Sequence, residues 1–145
     1  MDQVGSDLFV GTLADANDNQ CLDKDAITVI VSLTHDTPDV SNQAFDIYSI
    51  PLIDGPQNNR DKFSNAVQET VTALRDDERV LVHCAAGGSR SPTVAATALA
   101  LACDMELEDA IQQVADNRDA VDPHEALLRQ AAHVYTDLKD STSLR

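Results

Sequence analysis

The run ITVIVSL at Ile27–Leu33 constrains the fold of this chain more than any other segment. Its side chains are almost all apolar and mostly β-branched, which is typical of a strand covered on both faces. Three further apolar runs predict strands at Asp7–Val10, Phe45–Leu52 and Arg79–His83. Strands of the ITVIVSL kind occur where helices cover a parallel sheet, so the run indicates an α/β architecture.

Helical periodicity separates and follows these strands. Apolar residues at helical spacing predict an amphipathic helix over 59–76, and further helices over Ser91–Ala102, Glu106–Asp116 and Pro123–Leu138. The alternation predicts a central mixed, largely parallel sheet of about four to five strands, flanked by helices on both faces. At 145 residues we expect one domain, residues 1–145. The last two predicted strands should be parallel, so that their following loops open at one ligand-binding edge.

The stretch HCAAGGSR, from His83 to Arg90, joins the fourth predicted strand to the next helix. Its small residues leave the inside of the loop open, so backbone N–H groups and the helix N-terminus can converge on one point. The Arg90 guanidinium matches two phosphate oxygens, and such surroundings favour an ionised Cys84 sulfur. A buried thiol beside a tight turn is the alternative, but it explains neither the arginine nor two glycines. We expect a phosphate-binding loop made of Ala85, Ala86, Gly87, Gly88, Ser89 and Arg90.

Phosphoryl transfer to sulfur also needs an acid for the departing oxygen and a base for the attacking water. Asp54 in PLIDGP is the first candidate, because it follows the strand predicted to be parallel to the cysteine strand. Asp36 and Asp39 are the alternatives, and a plain turn-forming role is the competing interpretation of Asp54. Ser91 can donate a hydrogen bond to the sulfur, cap the helix, or do both.

HCAAGGSRS resembles the H-C-x-x-G-x-x-R-S/T signature of the cysteine-dependent protein tyrosine phosphatase superfamily, and more closely the form found in dual-specificity phosphatases. Looser resemblances are DLFVGTLADAND to that family's opening strand, ITVIVSLT to its second core strand, YSIPLIDGP to its general-acid segment and NRDAVDPHEALLRQ to its closing Arg–Pro helix junction. The resemblance implies a protein tyrosine phosphatase-like fold and a phosphocysteine intermediate. It also implies that His83 orders the loop and that Asp54 is the acid.

The three cysteines are an odd number and have no metal-ligand spacing, which disfavours a disulfide framework and a metal site. We therefore expect reduced thiols, no metal and no cofactor. Cys21 and Cys103 are expected to be small core residues, with a regulatory disulfide to Cys84 as the alternative.

The chain carries 25 acidic and 10 basic residues, a net charge of −15, with 20 Asp and only three Lys. This charge either keeps an ordinary protein soluble or reflects adaptation to molar salt, where the Debye length is about 3 Å. The Asp-rich, Lys-poor pattern resembles proteins of halophilic archaea. No basic patch is present to bind nucleic acid. No apolar run reaches membrane-spanning length, and MDQVGSDLFVG lacks signal-peptide features, so we expect a cytoplasmic monomer.

Three functions remain open on these residues. The first is a dual-specificity phosphatase acting on phosphoproteins at Ser, Thr and Tyr, since the loop adds no cation to Arg90 and the chain is short for a deep pocket. Relatives that hydrolyse inositol phosphates carry lysines in this loop. The second is a binding module that retains the phosphate cradle without turnover, and the third is a phosphatase of small metabolites or nucleotides.

Overall fold

The computed structural model describes residues 1–34, 46–52, 60–85, 89–118, 121–123 and 125–143. Within these ranges the strands are Asp2–Gln3 (β1), Leu8–Thr12 (β2), Val29–Ser32 (β3), Asp46–Ser49 (β4) and Val80–Cys84 (β5). The helices are Leu13–Ala16 (α1), Asn19–Lys24 (α2), Arg60–Arg75 (α3), Arg90–Ala102 (α4), Leu107–Asn117 (α5) and Glu125–Ser143 (α6).

The strands form one sheet in the order β1-β2-β5-β3-β4. Strands β2, β5, β3 and β4 are parallel, and β1 pairs antiparallel with β2. The mixed, largely parallel sheet predicted from the sequence is therefore confirmed. Strands β4 and β5 have the same direction, as predicted, with β3 between them. As a result, the loops that leave β2, β3, β4 and β5 all begin at one edge of the sheet.

Each central strand divides its side chains between two hydrophobic layers, because successive residues of a strand point to opposite faces. The larger layer joins Val10, Val31 and Val82 to helices α3 to α6. In the smaller layer, the residues of the same strands that point to the opposite face pack against α1 and α2. This layer consists of Phe9, Ala16, Leu22, Ile27, Ile30 and Leu81. Helices thus cover both faces, as ITVIVSL indicated.

Helices α1 and α2 were not predicted, because helices of four and six residues are too short to show a hydrophobic period. Capping side chains begin both of them. Thr12 accepts a hydrogen bond from the N–H of Asp15, whose carboxylate accepts one from the N–H of Thr12. Asp18 caps α2 by accepting from the N–H groups of Gln20 and Cys21.

The other helices follow the prediction, with ends shifted by a few residues. The largest difference is α6, which begins two residues after Pro123 and continues to Ser143. The expectation that Cys103 is a core residue is wrong: it is exposed, because it ends α4 where the chain turns towards α5. Cys21 is only half-buried. At the end of α5, Arg118 joins the helix to β1 and β2 through Asp2 (2.9 Å) and the carbonyl of Val10 (3.2 Å).

Candidate active site

The residues singled out by sequence lie at the carboxyl end of the sheet. Thr12 of β2 pairs with Cys84, and Ser32 of β3 pairs with His83. The HCAAGGSR segment therefore leaves the middle strand, between β2 and β3. Helix α4 begins at Arg90, so its N-terminus faces the same edge.

Cys84 ends β5 with only 2% of its surface exposed. Its Sγ lies 3.2 Å from the Oγ of Ser91, which is also fully buried in the first turn of α4. The hydroxyl can donate a hydrogen bond to the sulfur at this distance. Ser91 is not the N-cap of α4, because Ser89 has that position and its carbonyl accepts from the N–H (3.2 Å) and the hydroxyl (2.7 Å) of Thr93.

The Arg90 side chain is half-buried and is directed towards the chain that leaves β4. Its Nη1 donates to the carbonyl oxygen of Leu52 at 3.0 Å. Leu52 is itself held by a hydrogen bond from its N–H to the carbonyl of Leu33, also at 3.0 Å. The guanidinium thus connects the start of α4 with the segment that continues to Asp54.

His83 is completely buried on the α1–α2 side of the sheet. Burial is the main reason that its pKa falls from 6.5 to about 4; the positive charge of Arg90 lowers it further, while the Cys84 main chain and the Asp15 carboxylate partly offset the change. Apart from the contact with the Cys84 main chain, neither ring nitrogen has a hydrogen-bond partner in the described part of the chain, and neither does the buried Oγ of Ser32. At neutral pH the imidazole is uncharged behind the cysteine.

Three features of this edge escaped the sequence reasoning. The Leu52 carbonyl is a backbone group and leaves no sequence signal. Ser32 lies inside the apolar run ITVIVSL, where a single serine does not indicate a functional residue. Asp15, whose charge acts on His83, could have been found from the Thr12–Asp15 capping pattern.

Not every predicted site residue falls in the described part of the chain. Ala85 is exposed and Ser89 is half-buried. The candidate acids and part of the loop lie outside the described residues, namely Asp36, Asp39, Asp54, Ala86, Gly87 and Gly88.

No group of three or more His, Cys, Asp or Glu side chains in the described ranges is arranged to hold a metal ion. Among the described helices, none combines the length and the apolar character that crossing a membrane requires.

Comparison with known proteins gives matches over most of the chain. The sequence model of the dual specificity phosphatase catalytic domain matches residues 8–137. Dual specificity protein phosphatase 22 of Mus musculus is 30% identical over 131 residues, which cover 90% of this chain and 71% of that protein.

Solved structures share the fold at lower identity. The crystal structure of human DUSP28 superposes with a TM-score of 0.87 at 21% identity, covering 97% of this chain and 99% of the other. The human tyrosine phosphatase-like serine/threonine/tyrosine-interacting protein gives a TM-score of 0.82 at 24% identity, covering 96% and 97%. The five-stranded sheet and its helices are therefore those of protein tyrosine phosphatase-like structures.

Proposed function

Because the chain belongs to the dual-specificity phosphatase family and is a cysteine-dependent protein phosphatase, we propose that Cys84 is its nucleophile and that turnover passes through a phosphocysteine. The observation that carries this proposal is the 3.2 Å contact between Cys84 Sγ and Ser91 Oγ at the N-terminus of α4. This contact supports the proposal because the thiol lies beside the first turn of a helix, whose N–H groups have no carbonyl partner within the helix and can bind an anion.

In the first step the Cys84 thiolate attacks the phosphorus of a phosphate monoester. The S–P bond forms as the P–O bond to the leaving group breaks, and a general acid transfers a proton to the departing oxygen. Arg90 and the backbone amides of the loop, positions 85–89, neutralise the charge on the three non-transferred oxygens. No metal or cofactor takes part in this step.

In the second step water attacks the phosphorus of the phosphocysteine. The S–P bond breaks and the sulfur leaves as a thiolate, which Ser91 stabilises by donating its hydroxyl proton in a hydrogen bond. The carboxylate that acted as acid accepts the proton of the water. The products are inorganic phosphate and the alcohol or phenol of the substrate.

Asp54 is the group we assign as acid and base. The Arg90 side chain donates to the Leu52 carbonyl at 3.0 Å, and Asp54 follows Leu52 by two residues in the sequence. The contact of Arg90 with the segment that precedes Asp54 supports Asp54 over the alternatives. Asp36 and Asp39 follow β3, the neighbouring strand, and are the alternatives that substitution must exclude.

His83 is assigned a supporting role. Its neutral, buried imidazole occupies the space behind the cysteine, which favours ordering of the loop over proton transfer. In this buried position, His83 cannot transfer a proton to the leaving-group oxygen, which lies on the phosphate side of the loop.

The substrates are phosphoproteins, and we infer that the enzyme acts on them as a monomer formed by one domain, residues 1–145. We further infer a cytoplasm with molar salt, because the excess of carboxylates that gives the net charge of −15 would cause strong self-repulsion at low ionic strength. The same acidity argues against nucleic acid as a partner.

Substitutions test the assignment with p-nitrophenyl phosphate as substrate. Cys84→Ser should abolish turnover and retain binding of inorganic phosphate, whereas Cys103→Ser, which removes an exposed thiol, should behave as wild type. Arg90→Ala should weaken both binding and rate. Asp54→Asn should slow turnover, with Asp36→Asn and Asp39→Asn as matched controls. Turnover that survives Cys84→Ser would refute the proposal. A defect confined to Asp36→Asn or Asp39→Asn would assign the general acid to that residue instead of Asp54.

A further inference from the structure

An open groove of about 580 Å³ lies between helices α5 and α6. Its apolar lining consists of Leu107, Ile111, Leu128, Ala132 and Tyr135. Ala132 is exposed and the other four are half-buried. We call this feature the α5–α6 groove.

The groove exists because each helix uses a different stripe of side chains to pack on the core. Helix α5 buries Ala110 and Val114, and α6 buries Leu127, Ala131 and Val134. The apolar residues of the groove lie beside these stripes and are only partly covered. One wall is fixed, since the hydroxyl of Tyr135 donates to the carbonyl of Met105 at 2.8 Å.

The rim of the groove is acidic. Glu106, Glu108 and Asp109 are exposed and line it. None of these carboxylates has an ion-pair partner within 4 Å in the described chain, whereas Glu125 on α6 pairs with Arg129 at 2.9 Å. Lys139 stands at one end, where its Nζ donates to the Tyr135 hydroxyl at 3.1 Å. This hydrogen bond is the main reason that the pKa of Lys139 is raised, and the charge of Glu106 is a smaller one. Glu108 and Asp109 remain without a compensating cation.

We propose that the α5–α6 groove binds a basic segment of a partner protein, with two or three apolar side chains in the groove and Lys or Arg side chains against Glu108 and Asp109. Apolar anchors and complementary charge are the chemistry by which a groove between two helices binds a short peptide. At the 0.1 M salt of the binding test, the net charge of −15 attracts such a segment over about 10 Å, whereas in molar salt only the direct contacts in the groove remain.

The partner that fits this chemistry is a phosphoprotein substrate, an identification that rests on the proposed function. Glu106 and Leu107, which line one end of the groove, follow the C-terminus of α4. This helix starts beside Cys84 and, with 13 residues, is about 20 Å long. A dianionic phosphate and its acidic surroundings are repelled by this surface. A basic segment elsewhere in the same substrate would restore the attraction without entering the catalytic site.

A fluorescein-labelled peptide of 14 residues tests the docking surface by fluorescence anisotropy. It places leucines on one helical face and Lys and Arg on the others, and carries no phosphate. A second peptide with Glu in place of Lys and Arg is the control. We expect the basic peptide to bind the wild-type protein at 0.1 M salt and the acidic one not to bind.

Two variants test the location. Glu108→Lys with Asp109→Lys reverses the rim, and Ala132→Arg fills the exposed side of the groove; both should weaken binding at least tenfold. The matched control is Asp23→Lys with Asp76→Lys, which changes the net charge equally at exposed sites elsewhere and should change binding less than twofold. If the double variant fails to form helix α5, Ala132→Arg on α6 still tests whether the peptide binds in the groove.

The catalytic readouts separate this proposal from the function on which it rests. All variants should hydrolyse p-nitrophenyl phosphate at the wild-type rate, and the groove variants should raise KM only for a phosphopeptide that carries the basic segment. Equal weakening by the control pair, or no binding of the basic peptide, would overturn the proposal. So would a wild-type dimer that Ala132→Arg dissociates, because the groove would then belong to a second copy. Loss of p-nitrophenyl phosphate turnover alone would bear only on the catalytic assignment.

Discussion

Acidification should destabilise this protein through His83, and replacing His83 by Asn should remove that part of the pH dependence. The imidazole is fully buried, and its pKa falls from 6.5 in an exposed chain to about 4 in the folded protein. Between these two values the unfolded state binds a proton that the folded state does not. The stability that His83 contributes is therefore complete above about pH 6.5 and is lost as the pH falls towards 4.

The magnitude follows from the gap between the two pKa values. One pKa unit corresponds to about 1.4 kcal/mol, so the full gap is worth about 3 kcal/mol and about 2.5 kcal/mol of it is lost at pH 4.5. Asp15, the acidic group that acts on His83, stays ionised at that pH: burial alone would raise its pKa, but the hydrogen bond from the Thr12 N–H and the Met1 ammonium hold it below 3.8.

Urea unfolding at pH 7.5 and pH 4.5 measures the effect. The free energy of unfolding should fall by about 2.5 kcal/mol more in the wild type than in His83→Asn, and this double difference cancels the titration of the other groups. The control is His133→Asn on α6, which makes the same substitution at an exposed position and so separates the effect of burial from that of replacing a histidine. Equal losses in wild type and His83→Asn would refute the burial argument.

Three further predictions concern the second step, the surface and the backbone. Ser91→Ala should lower kcat about tenfold and give a burst of p-nitrophenol before the slow steady state, because the leaving sulfur loses a hydrogen bond; a normal kcat without a burst would contradict this role. For an acidic phosphopeptide, kcat/KM should rise between 0.1 and 1 M salt as repulsion is screened, and a steady fall would argue against the halophile hypothesis. Ala26→Gly should raise the free energy of unfolding by about 0.5–1 kcal/mol, because Ala26 has φ 54°; an unchanged urea midpoint would show that no strain is stored there.

The architecture could be predicted because its strands are buried. A strand such as β3, all four of whose residues are buried, must have an almost continuous apolar sequence, and few other elements share that pattern. The amphipathic period of α3 then fixes the direction of the strands on either side of it. Because these two strands are parallel, the loop after His83 and the segment after Leu52 begin at the same edge of the sheet, and the sequence therefore predicts the candidate site there.

Features that depend on packing or on backbone atoms could not be predicted. The contact between Arg90 and the Leu52 carbonyl joins a side chain to a main-chain group 38 residues away, and no residue type at position 52 signals it. The exposure of Cys103 depends on how the chain turns after α4: the predicted helix end at Ala102 is correct, but the pattern does not show whether the next residue is buried. Short helices such as α1 depend on a single cap, which a search for hydrophobic periods does not detect.

Trapping the phosphoenzyme tests the central claim most directly. Wild-type protein and Ser91→Ala are mixed with p-nitrophenyl phosphate, quenched into denaturant within milliseconds, digested and analysed by mass spectrometry. We expect one phosphoryl group on the peptide that contains Cys84, more of it in Ser91→Ala, and none in Cys84→Ser. Steady turnover with no phosphoryl group on Cys84 at any quench time, or a label on another residue, would contradict it.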